Sequence, residues 1–118
     1  MDDVTQYLEQ AKLLVETIIG RLPSDGRERL LMQARTMSNL AGSIAFLSFE
    51  VDRNGTKPEF GVPNLIPCRP EVLSPDGTSF GELMVWRDDA GYIDSLEYTW
   101  WEGNPPDRLP GVDHLRFS

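Results

Sequence analysis

The chain has 118 residues, 40% hydrophobic and 25% charged, with 11 Lys and Arg against 19 Asp and Glu for a formal net charge of −8. That length suffices for one domain and not for two, and the apolar content is that of a chain that folds on its own rather than of a disordered one. A chain of this sign is repelled by phosphate backbones, and its densest basic group, Arg27, Arg29 and Arg35, forms no stripe, so nucleic acid is not expected as a ligand.

The first segment predicts a helix over 3–19, because Val4, Leu8, Ala11, Val15, Ile18 and Leu22 recur at alternating spacings of four and three. Asp2 or Asp3 is placed to cap it, and Gly20 to end it in a left-handed conformation. Its apolar stripe is one-sided and must pack on something. Leu22-Pro23-Ser24-Asp25-Gly26 reads as a turn, with Ser24 or Asp25 as the cap of a second helix over 26–35. Past Arg35 the chain either prolongs that helix through Met37 and Ala41 or, since Thr36, Ser38 and Asn39 are poor helix formers, makes a short edge strand before Gly42. Ending the helix near Ala34 or Arg35 is the preferred reading.

From Ser43 the period becomes two, and 43–52 reads as a strand with apolar residues on both faces, hence central in its sheet. Asn54-Gly55 is a hairpin signal. Pro58, Pro63, Pro67, Pro70 and Pro75 confine any strand in 56–78 to short edge pieces, at 65–67 and 71–73. Asp76-Gly77 is a turn, and strands over 79–87 and 92–101 are joined through Asp88-Asp89-Ala90-Gly91. After Gly103 the prolines 105, 106 and 110 imply an extended tail, 103–118, lying across the body of the domain. The expected fold is α+β, a single domain with two N-terminal helices packed on one face of a mainly antiparallel sheet of about four to six strands.

The charge is uneven. Residues 1–59 hold nine acidic and seven basic side chains, whereas residues 60–118 hold ten and four. Within 82–102 stand Glu82, Asp88, Asp89, Asp94, Glu97 and Glu102 with one base, Arg87, and all three tryptophans, Trp86, Trp100 and Trp101. With Ala90-Gly91 as a two-residue loop, Arg87 faces Asp94, Val85 faces Leu96, Leu83 faces Tyr98 and Gly81 faces Trp100, giving one apolar face with an ion pair at its tip. The other face then carries Phe80, Glu82, Met84, Trp86, Glu97 and Trp101. Moving the loop to Asp89-Ala90 sets Glu82 against Glu97 and Val85 against Asp94, a like-charge pair and a misplaced carboxylate. A three-residue loop is the remaining alternative and would gather Trp86, Met84, Leu96, Tyr98 and Trp100 on one face.

Catalytic motifs are sparse. The one histidine, His114, lies four residues from the C-terminus, and the one cysteine, Cys68, reads as a small apolar residue whose pKa Arg69 would lower. Glu82 and Glu97 across the hairpin are a candidate acid–base pair. Asp88-Asp89 lacks the loop spacing of a calcium motif, so neither metal nor cofactor is expected. The longest apolar runs, Leu13-Leu14-Val15 and Ile44-Ala45-Phe46-Leu47, fall far short of the roughly 20 residues of a membrane span, and Met1-Asp2-Asp3 is acidic where a signal peptide is basic. A cytoplasmic location without membrane contact is expected.

Gly81-Glu82-Leu83-Met84-Val85-Trp86, the acidic-glycine turn, Tyr92-Ile93-Asp94-Ser95-Leu96-Glu97-Tyr98, then Pro105-Pro106 and Leu109-Pro110 together resemble an uncharacterised family of small, mainly actinobacterial proteins. Their shared pattern is a strand, a turn, a Leu-Glu strand and a Pro-Pro tail. The resemblance is clearest over 76–116 and weaker over 26–52; relatives often carry several Cys and Gly residues where this chain has 38–43. It implies an α+β fold and supplies no catalytic residues. In type rather than motif, the chain is also similar to the small acidic immunity proteins of bacterial toxin systems. The expected function is therefore a non-catalytic domain that binds a basic protein, most concretely a toxin domain that it neutralises. Phe80, Glu82, Met84, Trp86, Asp88, Asp89, Glu97, Trp101 and Glu102 form the expected protein-binding surface, unless the helices or the Pro-rich segment cover it. The alternatives are a small-molecule-binding or enzymatic domain with a pocket between helices and sheet, and a subunit of a structural homo-oligomer.

Overall fold

The computed structural model describes residues 4–101 and 103–117, apart from the side chains of Ser24 and Asp25. A single 3₁₀ turn, Val4–Tyr7, leads directly into helix α1, Leu8–Ile19. The helix forms because Ala11, Leu14, Val15, Ile18 and Ile19 fall on one stripe, and all five are completely buried. Gly20 does not take the left-handed conformation expected of it: its φ is −61°, and the helix ends instead through tightening turns, Gly20 N–H to Glu16 O and Leu22 N–H to Ile19 O, which set Leu22 into the core. The caps expected of Asp2 or Asp3 lie outside the described residues, as do the side chains of Ser24 and Asp25. Helix α2 runs over Ser24–Arg35 and buries Leu30, Gln33 and Ala34. It stops where sequence composition placed its end, with Thr36 donating both its N–H and its hydroxyl to Gln33 O.

Among the described residues six strands follow: β1 Ser38–Ser43, β2 Phe46–Glu50, β3 Glu71–Leu73, β4 Ser79–Arg87, β5 Ile93–Trp100 and β6 Leu115–Arg116. Every adjacent pair is antiparallel, in the order β1-β2-β5-β4-β3-β6. The fold is thus α+β, with both helices and one face of the sheet sharing a core that joins Leu14, Ile18 and Leu30 to Leu47, Leu83, Val85 and Leu96. The segment after Arg35 takes the alternative form, an edge strand. It is bulged at Asn39, whose φ of +54° lets the polar side chain bond Glu50 while Leu40 turns inward.

Four expectations need correction. The strand expected over 43–52 starts at Phe46, because Ser43 pairs with Phe46 around an Ile44-Ala45 turn and belongs to β1. That strand is interior to the sheet but buries one face only: Leu47 and Phe49 point inward while Phe46, Ser48 and Glu50 are exposed. Asn54-Gly55 makes no hairpin; their N–H groups donate to Asp52 Oδ1 in a side-chain-closed turn. The strand expected over 65–67 reduces to a single bridge, Leu65 to Trp86, with Ile66 N–H bonded to Val85 O and Arg87 N–H to Asn64 O. The Pro-rich segment therefore lines the edge of β4 beyond the reach of β3, and its Arg69 reaches Glu82 on the outward face of the sheet.

The tail does cross the body. Gln10 of α1 donates to Leu109 O and Pro110 O at 3.2 and 3.1 Å, Leu109 is buried, and the short strand β6 closes the sheet edge against β3.

Candidate functional site

The β4–β5 hairpin follows the preferred register from Gly81 opposite Trp100 through Met84 opposite Glu97 to Trp86 opposite Ser95. At the tip the pairing slips by one residue, so that Arg87 lies opposite Ile93 and Asp94 is the extra residue of a bulge. The expected Arg87–Asp94 ion pair is absent. Arg87 is 7% exposed and donates from Nε to Pro63 O at 3.1 Å and from Nη1 to Glu59 O. Burial pulls its guanidinium below its ordinary value, against the opposing pull of Glu59 and Asp88. The slip follows from the loop: Gly91 adopts φ +92° and donates to Asp88 O, while Asp88 N–H donates to Tyr92 O, a geometry that a two-residue Ala90-Gly91 loop does not permit.

This tip is clamped from the helix side by Gln33, which sequence reading missed. Its Nε2 donates to Gly91 O at 3.1 Å and to Lys57 O at 3.0 Å, and its Oε1 accepts from Ile93 N–H at 2.9 Å. The residue is fully buried with its amide satisfied on both sides. Nothing in a helix sequence marks a glutamine as a latch rather than a solvated residue.

The alternation of strands places Phe46, Met84, Trp86 and Glu97 on the outward side of β2, β4 and β5. Glu97 lies opposite Phe46 of β2 on one flank and opposite Met84 of β4 on the other. Trp86 Nε1–H donates to Glu97 Oε1 at 2.9 Å. Met84 is only 7% exposed yet stands outside the core cluster, whereas Phe46 is 47% exposed. Phe46 was missed because its strand was taken as two-sided; the pairing of β2 with β5 is what brings it beside Glu97.

The remaining expected site residues separate. Phe80 turns away: a bulge in β4 opposite Leu73 precedes Gly81, and the Phe80 ring packs edge-to-face on Tyr98 at 6.4 Å, against the core. Glu82 is held by Arg69 at 2.6 Å. Asp88 is structural, with Oδ1 accepting from the N–H groups of Ala90 and Tyr92 and Oδ2 from Arg53. Burial would raise its carboxyl, and those donors outweigh it to hold the pKa below the ordinary value. Asp89 is exposed and accepts from Asn64 at 2.9 Å. Trp101 is 53% exposed beyond the far end of the hairpin and donates to Ser79 Oγ at 3.0 Å. Trp101 is six positions along the chain from Ser95, which faces Trp86, so the two tryptophans stand roughly 20 Å apart and form no common patch. Glu102 lies outside the described residues.

The catalytic candidates do not converge. Glu82 and Glu97 are engaged by different donors, Arg69 and Trp86. Burial raises the half-buried Cys68 thiol; the cation opposing that rise is Arg21 and not its neighbour Arg69, which is turned to Glu82. Among the described residues no three His, Cys, Asp or Glu side chains gather as a metal set, and no helix is long and apolar enough to cross a membrane. A cleft of about 700 Å³ lies between Gln10 of α1, the sheet residues Val72, Phe80 and Tyr98, and the tail. Its rim carries His114 with Asp113 at 4.0 Å, and Ser74, whose hydroxyl is committed to Asp76 and to Thr78 O.

The chain matches no protein-family model, no curated protein and no solved structure.

Proposed function

We propose that this protein is a non-catalytic binding domain that docks a basic protein through the helix-free face of its sheet, around Phe46, Met84, Trp86 and Glu97. The supporting observation is that exposed aromatic surface and an acidic side chain share one rigid interior-strand platform while both helices pack on the other side. Strands fix such side chains more closely than loops do, and an aromatic anchor beside a charge is the composition of a binding hot spot. The net charge of −8 draws a basic partner in, and the buried aromatic contact slows its escape. Capture and neutralisation of a bacterial toxin domain inside the cytoplasm is the most concrete form of this reading.

The test uses the purified chain as bait at 50 and 300 mM NaCl, with each captured basic protein re-purified and its affinity measured by calorimetry. The combined variant F46D, W86A and E97K is expected to lose binding by at least about 100-fold. Unchanged affinity in that variant excludes this face. In the toxin form, the same partner arrests growth when expressed alone and not when expressed together with this chain.

A further inference from the structure

The carboxylates of the outward face are not equivalent. Glu82 faces Arg69 at 2.6 Å, and Glu71 faces Arg116 at 2.9 Å, so each is neutralised within the chain. Glu97 has no cationic partner among the described residues. Its Oε1 is taken by a neutral indole N–H, and its Oε2 receives no donor among them. It is also the carboxylate with apolar neighbours on both flanking strands: Phe46 directly across on β2, Met84 directly across on β4, and Trp86 one step along. An uncompensated charge framed by aromatic and thioether surface is half of a cation site.

Resting on the docking face proposed above, we infer that Glu97 receives the guanidinium of an arginine side chain from the partner protein, lying between Phe46 and Trp86. The chemistry favours arginine over lysine. A guanidinium is planar and weakly hydrated, so it stacks on an aromatic face while donating to a carboxylate, whereas an ammonium must shed a tighter water shell to enter the same place. The indole N–H already bonded to Oε1 orients the carboxylate, leaving Oε2 for the incoming N–H groups.

Three indole N–H resonances, from Trp86, Trp100 and Trp101, report on the site and on two internal controls. The intact protein, ¹⁵N-labelled at tryptophan, is titrated with N-acetylarginine amide and separately with N-acetyllysine amide in 150 mM NaCl. A saturable shift confined to the Trp86 indole is expected, with Kd of roughly 1–10 mM for the arginine probe and binding at least about threefold weaker for the lysine probe. E97Q, shown to be folded by its backbone spectrum, abolishes the shift, and D89N leaves it unchanged. No saturable shift, an equal response of all three indoles, or a shift that survives E97Q overturns the arginine site. Those results leave the docking face standing if the combined variant still loses its partner; loss of the arginine site together with unchanged partner affinity in that variant removes both.

Discussion

The two faces of this one sheet solve the same packing problem in opposite ways. Toward the helices, Leu47, Leu83, Val85 and Leu96 are completely buried, and a polar group that enters completely, Gln33, has its amide satisfied on both sides. Away from them, Phe46 is 47% exposed, and the polar side chains satisfy one another in pairs: Trp86 with Glu97, Arg69 with Glu82, Arg116 with Glu71. Burial and satisfied buried polar groups hold a fold together, whereas exposed pairs contribute little. Stability should therefore reside on the inner face and recognition on the outer one, and substitutions should separate the two.

The largest effect is expected at Gln33. Gln33→Leu keeps the volume roughly constant but strips partners from Lys57 O and Ile93 N–H in a buried setting, while Gly91 O keeps its bond from Glu59 N–H. It should lower unfolding free energy by about 2–4 kcal/mol, read as a drop in denaturant midpoint at unchanged slope. A loss under about 1 kcal/mol would show that water reaches the tip and that the inner face is not sealed there. Next comes Gly91→Ala, expected to cost about 2 kcal/mol because the residue sits at φ +92° and its new Cβ would lie 2.8 Å from Glu59 O.

A smaller effect is carried by pH. The Asp88 carboxyl lies below its ordinary value of 3.8 in the folded protein, so its contribution is complete above that value and lost as pH falls through the lower folded one. Asp76, held at about 2 by Ser74 and Thr78, titrates with the same sign. The informative quantity is therefore the difference between the native chain and Asp88→Asn. The variant should be about 1 kcal/mol less stable at pH 6, through the loss of the charge-assisted hydrogen bonds to Arg53, Ala90 and Tyr92, with the gap narrowing as pH falls below 3.8. A constant gap would place the role of Asp88 in its turn geometry and not in its charge.

Phe46→Ser should move stability by no more than about 0.5 kcal/mol, since an exposed side chain outside the core cluster leaves no cavity. The same change should weaken partner binding tenfold or more. Were it instead to cost as much as Gln33→Leu, the outward face would be a second core and not a free surface.

What sequence could show of this arrangement follows from which interactions are local. The α1 stripe, the end of α2 at Arg35 and the body of the hairpin register were all legible, because each is set by residues within one or two turns or directly across a short loop. Strand β1 was only an alternative, since Ser38, Asn39, Gly42 and Ser43 have low strand propensity and are held by pairing with β2. The tip slipped because Gly91 accepted a conformation that favours a longer loop, and Gln33, 58 residues from Gly91, secured it. For the candidate site, the presence of Trp86, Met84 and Glu97 on one face was readable. Phe46 entered through the β2–β5 pairing, and neutralisation of Glu82 by Arg69 came through a Pro-rich segment whose path no periodicity describes.

The smallest stability change, and the sharpest division between the faces, is expected at Arg69. Its pair with Glu82 has an arginine side chain 47% exposed, so Arg69→Ala should alter unfolding free energy by about 0.5 kcal/mol or less. Removing the guanidinium nevertheless uncovers Glu82 on the same outward face as Glu97, which adds one uncompensated charge to those that an incoming basic protein meets there. The association rate should rise roughly two- to threefold at 50 mM NaCl and return to the native value at 500 mM, where screening is nearly complete over such distances. A slower association at low salt would mean that the partner approaches Arg69 with a carboxylate of its own, and the polarity assigned to this face would have to be reversed.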